Sequence, residues 1–228
     1  MRIEEFKNVR KFPCVITDTT TMEVRFRELD WLAQFISKGG WNLEFGVHTG
    51  STINRIAAKR PDLKFIGFDS FEGLPEDWDT GPKLVTTATF DRGGVMPKVS
   101  ENVTLVKGFF DHSLPHWLKG QNGIDRKGLK DERHISYLHV DCDIYSSTVT
   151  IFENLNEFIK PGCIIRFDEI CCWRTAFDEP ATFVRRVPYT TWEQHEWKAA
   201  TEWMQKYNRK FVPICRNWFQ SGTVMVTQ

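Results

Sequence analysis

Four carboxylates stand at the ends of two short apolar runs. Ile135-Ser-Tyr-Leu-His-Val leads into Asp141-Cys-Asp143, and Cys163-Ile-Ile-Arg-Phe leads into Asp168-Glu169. Side chains alternate along an extended chain, so the Asp141-x-Asp143 spacing sends both carboxylates to one side. Acids gathered at one rim repel one another unless a cation or a proton intervenes, and Mg²⁺ is the hard cation suited to oxygen ligands. The four acids therefore read as a metal or acid/base site. A plainer role stays open for Asp143, which is also placed to cap the helix that Ser146, Ser147 and Thr148 open.

The elements that must hold these acids follow from the pattern around them. Two apolar runs with a helical segment between them, and Pro161-Gly162 before the second, make a βαβ unit with parallel strands. In such a sheet ligands bind beyond the carboxyl ends of the strands, where the acids lie. A second informative stretch is Trp41-Asn-Leu-Glu44-Phe-Gly46-Val-His-Thr-Gly50-Ser51. A strand running into two glycines and then a helix over 52–59 brings backbone close to a ligand and aims a helix N-terminus at it. The next strand, Leu63–Asp69, ends in an acid about 20 to 25 residues beyond the glycine turn, where nucleotide-binding βαβ units carry a ribose-binding carboxylate. A capping role is the alternative for Asp69.

The remaining segments are less telling. An amphipathic helix over 23–37 stops at Gly39-Gly40, and Phe12-Pro-Cys-Val-Ile is a short extended piece before it. A turn-rich loop spans 70–78, and residues 79–100 are an excursion of unread function. A third strand, Val103–Lys107, ends at Gly108-Phe-Phe-Asp-His-Ser113, and a helix follows over 114–119. Residues 119–134 read as a mobile, charge-mixed connection. A helix over 191–207 carries His195-Glu196, with Arg174, Arg185 and Arg186 before it. Trp173, Trp192, Trp197, Trp203 and Trp218 fall late in the chain and line a substrate pocket or pack a core, with packing expected for Trp197 and Trp203. Residues 210–215 and 223–227 form a hairpin-like pair that gives the sheet an antiparallel edge.

Bulk properties narrow the class. A chain of 228 residues, 41% hydrophobic with mean hydropathy −0.39, fits one domain, with residues 1–40 as a helical lead-in and 171–190 as a substrate-side insertion. No run is long enough to cross a membrane, and the charged start lacks the apolar stretch of a secretory signal, so a cytoplasmic location is expected. Thirty basic and thirty acidic residues leave no net charge, which argues against a nucleic-acid binder and for a small-molecule partner. The six cysteines show no CxxC pairing and read as reduced, structural thiols.

Taken together, Glu44-x-Gly46-x-x-x-Gly50, Gly67-Phe-Asp69-Ser-Phe-Glu-Gly-Leu-Pro75, Asp141-x-Asp143-x-Tyr145 and Phe167-Asp168-Glu169 resemble the macrocin O-methyltransferase family of S-adenosylmethionine-dependent enzymes. The resemblance runs from about residue 40 to 170, leaves the first forty residues uncovered, and has a looser echo at His195-Glu196. It implies an α/β, Rossmann-like class I methyltransferase fold with a seven-stranded, mostly parallel sheet, an antiparallel last strand and helices on both faces. The cofactor-binding set it implies is Glu44, Gly46, Gly50, Ser51, Asp69, Ser70, Phe71, Gly108, Phe109, Asp111, His112 and Asp141. It also implies Mg²⁺ held by Asp141, Asp168 and Glu169, Asp143 as the base, a small hydroxylated acceptor such as a sugar, and a homodimer.

The chemistry is coherent, because a hydroxyl is a poor nucleophile until a metal lowers its pKa or a carboxylate takes its proton. One departure bears on the metal. Metal-binding members carry Asp-Asp or Asp-Asn where this chain has Asp168-Glu169, and in a metal-free version His195 or Glu196 supplies the base. Two other classes stay open at this point: a glycosyltransferase holding a nucleotide sugar through Asp141-x-Asp143, and a non-catalytic S-adenosylmethionine-binding module.

Overall fold

The computed structural model describes residues 10–12, 21–120, 134–170, 189–217 and 221–228. Arg174, Arg185, Arg186, Trp173, Trp218, nearly all of the 119–134 connection and nearly all of the expected 171–190 insertion lie outside these residues.

The strands are β1 (Arg10–Phe12), β2 (Trp41–Phe45), β3 (Phe65–Asp69), β4 (Trp78–Asp79), β5 (Leu84–Val85), β6 (Val103–Lys107), β7 (Ile135–Val140), β8 (Ile164–Phe167), β9 (Phe211–Asn217) and β10 (Gly222–Val226). The helices are α1 (Thr21–Leu32), α2 (Ser51–Lys59), α3 (Phe110–Leu118), α4 (Tyr145–Leu155) and α5 (Glu196–Tyr207). One sheet runs in the order β1-β9-β10-β8-β7-β2-β3-β6, and β4 and β5 form a separate hairpin. Strand β10 is antiparallel to both β8 and β9, while the other pairings are parallel. The expected seven strands are present, and three-residue β1 adds an eighth beside β9.

Continuous apolar runs form the central strands because helices cover both faces. Leu43, Phe45, Leu138, Val140, Ile165 and Phe167 point to the side of α3, α4 and α5, where Ile151, Phe152, Leu155 and Trp203 bury a helical stripe against them. Tyr137, Ile164, Ile214 and Met225 point to the side of α1 and α2, against Leu29, Leu32, Ile53 and Ile56. Trp203 stacks on Phe152 at 4.7 Å, which makes it core. No helix among the described residues is long and apolar enough to cross a membrane.

Three helices depart most from expectation. Helix α1 runs only to Leu32, and a 3₁₀ turn over Ala33–Phe35 continues it. Helix α3 starts at Phe110, ahead of the expected 114: its turn closes with Ser113 N–H donating to Phe109 O at 2.9 Å, and Pro115 sits inside it. The expected helix over 191–207 is broken, because His195 takes φ −113° and ψ −116° between a 3₁₀ turn at Trp192–Gln194 and α5. That break aims Glu196 inward from the first turn of α5.

Candidate functional site

Strand β2 lies between β3 and β7, so consecutive connections leave it in opposite directions and a crevice opens beyond the strand ends. Gly46 stands at the bottom of that crevice with φ +94°, and a Cβ there would fall 1.6 Å from the carbonyl oxygen of Asp141. Only glycine lets the β2 and β7 exits pass this closely. Gly50, at φ +78°, then caps α2 in the left-handed conformation, with no side chain covering its first amides. His48 is also left-handed, at φ 46°. The turn is thus built to present backbone N–H groups, and short-range strain is concentrated in it.

Asp69 ends β3 with both carboxylate oxygens engaged. Oδ2 accepts from His48 N–H at 2.7 Å and Oδ1 from Phe71 N–H at 2.6 Å. These bonds clamp the β3 exit to the β2 exit and fix the carboxylate's orientation, while each oxygen keeps a lone pair for a ligand hydroxyl. Asp69 is therefore more than a local cap, since one of its partners lies 21 residues away.

A cavity of about 440 Å³ fills the crevice. That volume suits a small-molecule site, for which roughly 300–1,000 Å³ is usual. One end is lined by Gly46, His48, Ser51, Asp69, Ser70, Phe109 and Asp111, the other by Met22, Arg25, Trp78, Asp141, Asp143, Ser147, Asp168 and Glu169. The turn-rich loop and the start of the excursion, from Gly73 to Phe90, form the roof, and the segment before α5 ties it down. Trp78 Nε1 donates to Tyr189 Oη at 2.9 Å, Thr190 N–H to Thr80 O at 3.0 Å, and Thr191 Oγ1 to Asp79 O at 2.6 Å.

Several expected site residues do not line the cavity. Glu44 is buried below it, where Oε1 accepts from Thr52 Oγ1 at 2.8 Å and Oε2 meets His139 Nδ1 at 2.9 Å. Phe71 is a fully buried core side chain. Gly108 contributes backbone only, donating to Asp69 O at 2.9 Å. His112, on the first turn of α3, is exposed. His195 Nε2 lies 2.9 Å from Asp79 O, to which its N–H donates, so the ring fastens the roof and does not reach the acids.

The acidic rim rests on a polar row that crosses five strands. Glu44, His139, Arg166, Thr223 and Cys215 are successive cross-strand neighbours on the face covered by α1. Glu28 of α1 closes the row from above, accepting from Arg166 Nη2 at 3.1 Å, Thr223 Oγ1 at 3.1 Å and Ser221 Oγ at 2.5 Å. Arg166 Nη1 also donates to Asp168 Oδ1 at 2.8 Å and to His139 Nε2. Burial and Arg166 disfavour a charged His139, while Glu44 and Asp168 favour it and leave its pKa net raised. The contact decides the state: a guanidinium can only donate, so Nε2 accepts and the neutral ring carries its proton on Nδ1, toward Glu44.

Neither His139 nor Arg166 stood out as a site residue in the sequence, although each precedes a rim acid by two positions, on the same face of its strand. A third missed residue is Arg25 of α1, which lines the cavity and donates through Nη2 to Asp168 Oδ2.

Asp143 holds φ 65°, and the buried Glu196 carboxylate keeps it there: Oε1 accepts from Cys142 N–H at 3.1 Å and Asp143 N–H at 3.2 Å, and Oε2 from Glu169 N–H at 3.2 Å. With its oxygens turned to three backbone amides and away from the cavity, Glu196 positions the rim. Burial, then Asp141 and Asp168, push the Asp143 carboxyl well above its usual range. Burial, then Asp168, push Asp141 up to about 6. Asp168 goes the other way: Arg25 and Arg166 hold it low against its burial.

This polarity sets a stability test. An acid whose folded pKa exceeds its unfolded value stabilises the fold below the unfolded pKa and loses that contribution as pH rises through the folded one. For Asp141 the window runs from about pH 4 to about 6. Asp141→Asn is expected to leave the melting temperature unchanged near pH 4 and to raise it at pH 8, by roughly 6–12 °C for about 3 kcal/mol. Thermal melts across pH check this, and an equal effect at both ends would mean that Asp141 does not titrate in the window.

A divalent ion does not fit the rim as built. Among the described residues the atoms close enough to share one come from His139, Asp141 and Asp168, all within 4.8 Å, and Glu169 is not in the group. Of the expected trio the fold gathers Asp141 and Asp168, with His139 in the place of Glu169. Of the three, His139 Nε2 and both oxygens of Asp168 are already met by guanidinium groups. A dication about 4 Å from one guanidinium would be repelled by roughly 8 kcal/mol at an effective dielectric of about 20, twice the unit-charge value. The cradle of Gly46, the open α2 N-terminus and Asp69 does suit the amino acid and ribose parts of S-adenosylmethionine.

Comparison with known proteins decides the class. The profile of a methyltransferase domain matches residues 43–170, more than half of the chain. The chain belongs to the methyltransferase domain family. It is an S-adenosylmethionine-dependent methyltransferase, and the nucleotide-sugar reading of Asp141-x-Asp143 falls away. The match supports the class and does not reach the macrocin subfamily.

The fold of this methyltransferase is similar to that of CalS11, a calicheamicin methyltransferase, with TM-score 0.59 at 18% identity over 90% of this chain and 80% of the other. The O-methyltransferase NovP is similar at TM-score 0.54 and 18% identity, over 90% and 80% of the two chains. Among the sequences of curated proteins, none matches.

Proposed function

We propose that this methyltransferase acts on a hydroxyl oxygen of a small, polyhydroxylated acceptor, with Asp143 taking the hydroxyl proton. The observation that carries this reading is convergence: the β7 and β8 acids open onto the same cavity as the Gly46 turn and Asp69. The β2–β3 end would hold the donor, through amides of the Gly46–Ser51 turn and the Asp69 carboxylate, with Phe109 and Asp111 beside the adenine. Bound there, S-adenosylmethionine supplies a methyl group on a sulfonium. The other end, with Met22, Trp78, Ser146, Ser147 and Thr150, is left for the acceptor. Its mix of apolar wall and hydroxyls suits a sugar-like ring, and CalS11, of similar fold, is a TDP-rhamnose 3'-O-methyltransferase.

Burial, then Asp141 and Asp168, hold the Asp143 carboxyl well above its usual range, and a more basic carboxylate takes a proton more readily. Holding hydroxyl and donor in near-attack geometry supplies much of the remaining rate. Neither His195 nor Glu196 competes for this role, since one is tied to the roof and the other to backbone amides.

Calorimetric titration of S-adenosylhomocysteine tests the donor end. Wild type is expected to bind, and Asp69→Ala to lose about 100-fold or more, because two hydrogen bonds to a charged group contribute roughly 1.5–3 kcal/mol each. Unchanged affinity in the variant would remove Asp69 from the donor site.

A further inference from the structure

We infer that Arg25 and Arg166 occupy the place of a divalent cation at the acidic rim, so that Asp168 is charge-balanced without metal and Arg25 is the cation that meets the acceptor oxygen. The inference rests on the methyl-transfer reading above.

The two arginines differ in what they can do. Arg166 is fully buried, held between Glu28, Asp168 and His139, and has no route out as a charged group. Arg25 enters from α1, lines the cavity and keeps 18% of its side chain exposed. Its Nη2 donates to Asp168, and its Nε has no partner among the described residues. A guanidinium with donors to spare therefore stands beside Asp141 and Asp168, at the acceptor end.

The chemistry asks for a cation there. As the acceptor O–H gives its proton to the Asp143 carboxylate, negative charge grows on the oxygen. That oxygen then forms a bond to the methyl carbon, the carbon–sulfur bond breaks, and its electron pair stays on sulfur as a neutral thioether. Guanidinium N–H groups meet such charge by hydrogen bonding and by Coulomb attraction, and being permanently ionised they do so at any working pH. Asp168 holds Arg25 in place for this.

The test uses metal ions alone as probes. Mn²⁺ is titrated into protein saturated with S-adenosylhomocysteine and followed by the electron paramagnetic resonance of the free ion, with Mg²⁺ in parallel by calorimetry. Wild type is expected to show no site tighter than about 1 mM, whereas Arg25→Ala, which uncovers Asp168 Oδ2, should bind Mn²⁺ at least about tenfold more tightly. Arg25→Lys should exclude the ion as wild type does. One equivalent of metal bound by wild type below about 1 mM would overturn the inference, as would an Arg25→Ala protein indistinguishable from wild type. Absence of S-adenosylhomocysteine binding would instead sink the donor assignment, and the metal titrations of the unliganded protein would still decide the role of the arginines.

Discussion

Gly46→Ala is expected to lower the melting temperature by roughly 6–12 °C or more and to abolish binding of S-adenosylhomocysteine. Two effects add. A Cβ at φ +94° forces an L residue into a conformation that costs about 1–2 kcal/mol, and it also lands 1.6 Å from Asp141 O and 2.7 Å from Asp141 C. Backbone is not a flexible side-chain tip, so one exit must move, and overpacking of this kind costs about 1–3 kcal/mol. Movement of the β2 exit pulls on His48 N–H, which Asp69 grips, and movement of the β7 exit displaces Asp141 and Asp143. Scanning calorimetry and a ligand titration read the two effects separately. A variant within about 2 °C of wild type that still binds would show that the two loops are not interlocked as described.

The same interlocking explains why α1 belongs to the site although it lies outside the matched family region. Glu28 anchors the helix to Arg166, and Arg25, three residues earlier and so on the same helical face, then falls at Asp168. Buried charges on this scale are retained at a desolvation penalty that hydrophobic replacements would avoid. Their return is positional: every rim acid is fixed either by a guanidinium, by Glu196, or by the backbone at Gly46.

Much of this was legible in the sequence, for identifiable reasons. Parallel strands buried on both faces write continuous apolar runs, and the acids that end them sit where the topology opens, so β2, β3, β7 and β8 and the Asp69, Asp141, Asp143 and Asp168 positions could be read directly. What escaped was polar chemistry inside an apolar run. His139 and Arg166 looked like interruptions of strands, although their period-two relation to Asp141 and Asp168 placed them on the same face. Glu196 escaped because its aim depends on the non-helical backbone at His195, and the uninterrupted pattern over 191–207 hid that break. Arg25 depended on a tertiary contact 143 residues away, for which spacing carries no signal. His112 and Glu44 were placed in the cofactor set by motif position, whereas α3 begins early enough to turn His112 outward and the strand alternation turns Glu44 into the polar row.

Glu196→Ala is expected to be the most destabilising change at the rim that leaves every cavity-lining side chain in place. It strips the acceptor from three N–H groups, those of Cys142, Asp143 and Glu169, which lie in the two loops carrying the acids. A buried donor left without a partner costs about 1–3 kcal/mol, so the sum for three is roughly 3–9 kcal/mol, or a fall of roughly 6–36 °C in melting temperature. Asp143 adds to it, because its φ of 65° is held only while the amide is engaged. Glu196→Gln separates acceptor from shape: its carbonyl oxygen keeps the bonds to Cys142 and Asp143, and its amide turns N–H toward the N–H of Glu169. The glutamine variant should therefore lose about one such bond, roughly 1–3 kcal/mol, and bind S-adenosylhomocysteine as wild type does. Equal losses for alanine and glutamine would mean that the three amides are not what Glu196 serves, and a stable alanine variant would mean that the loops hold their shape without it.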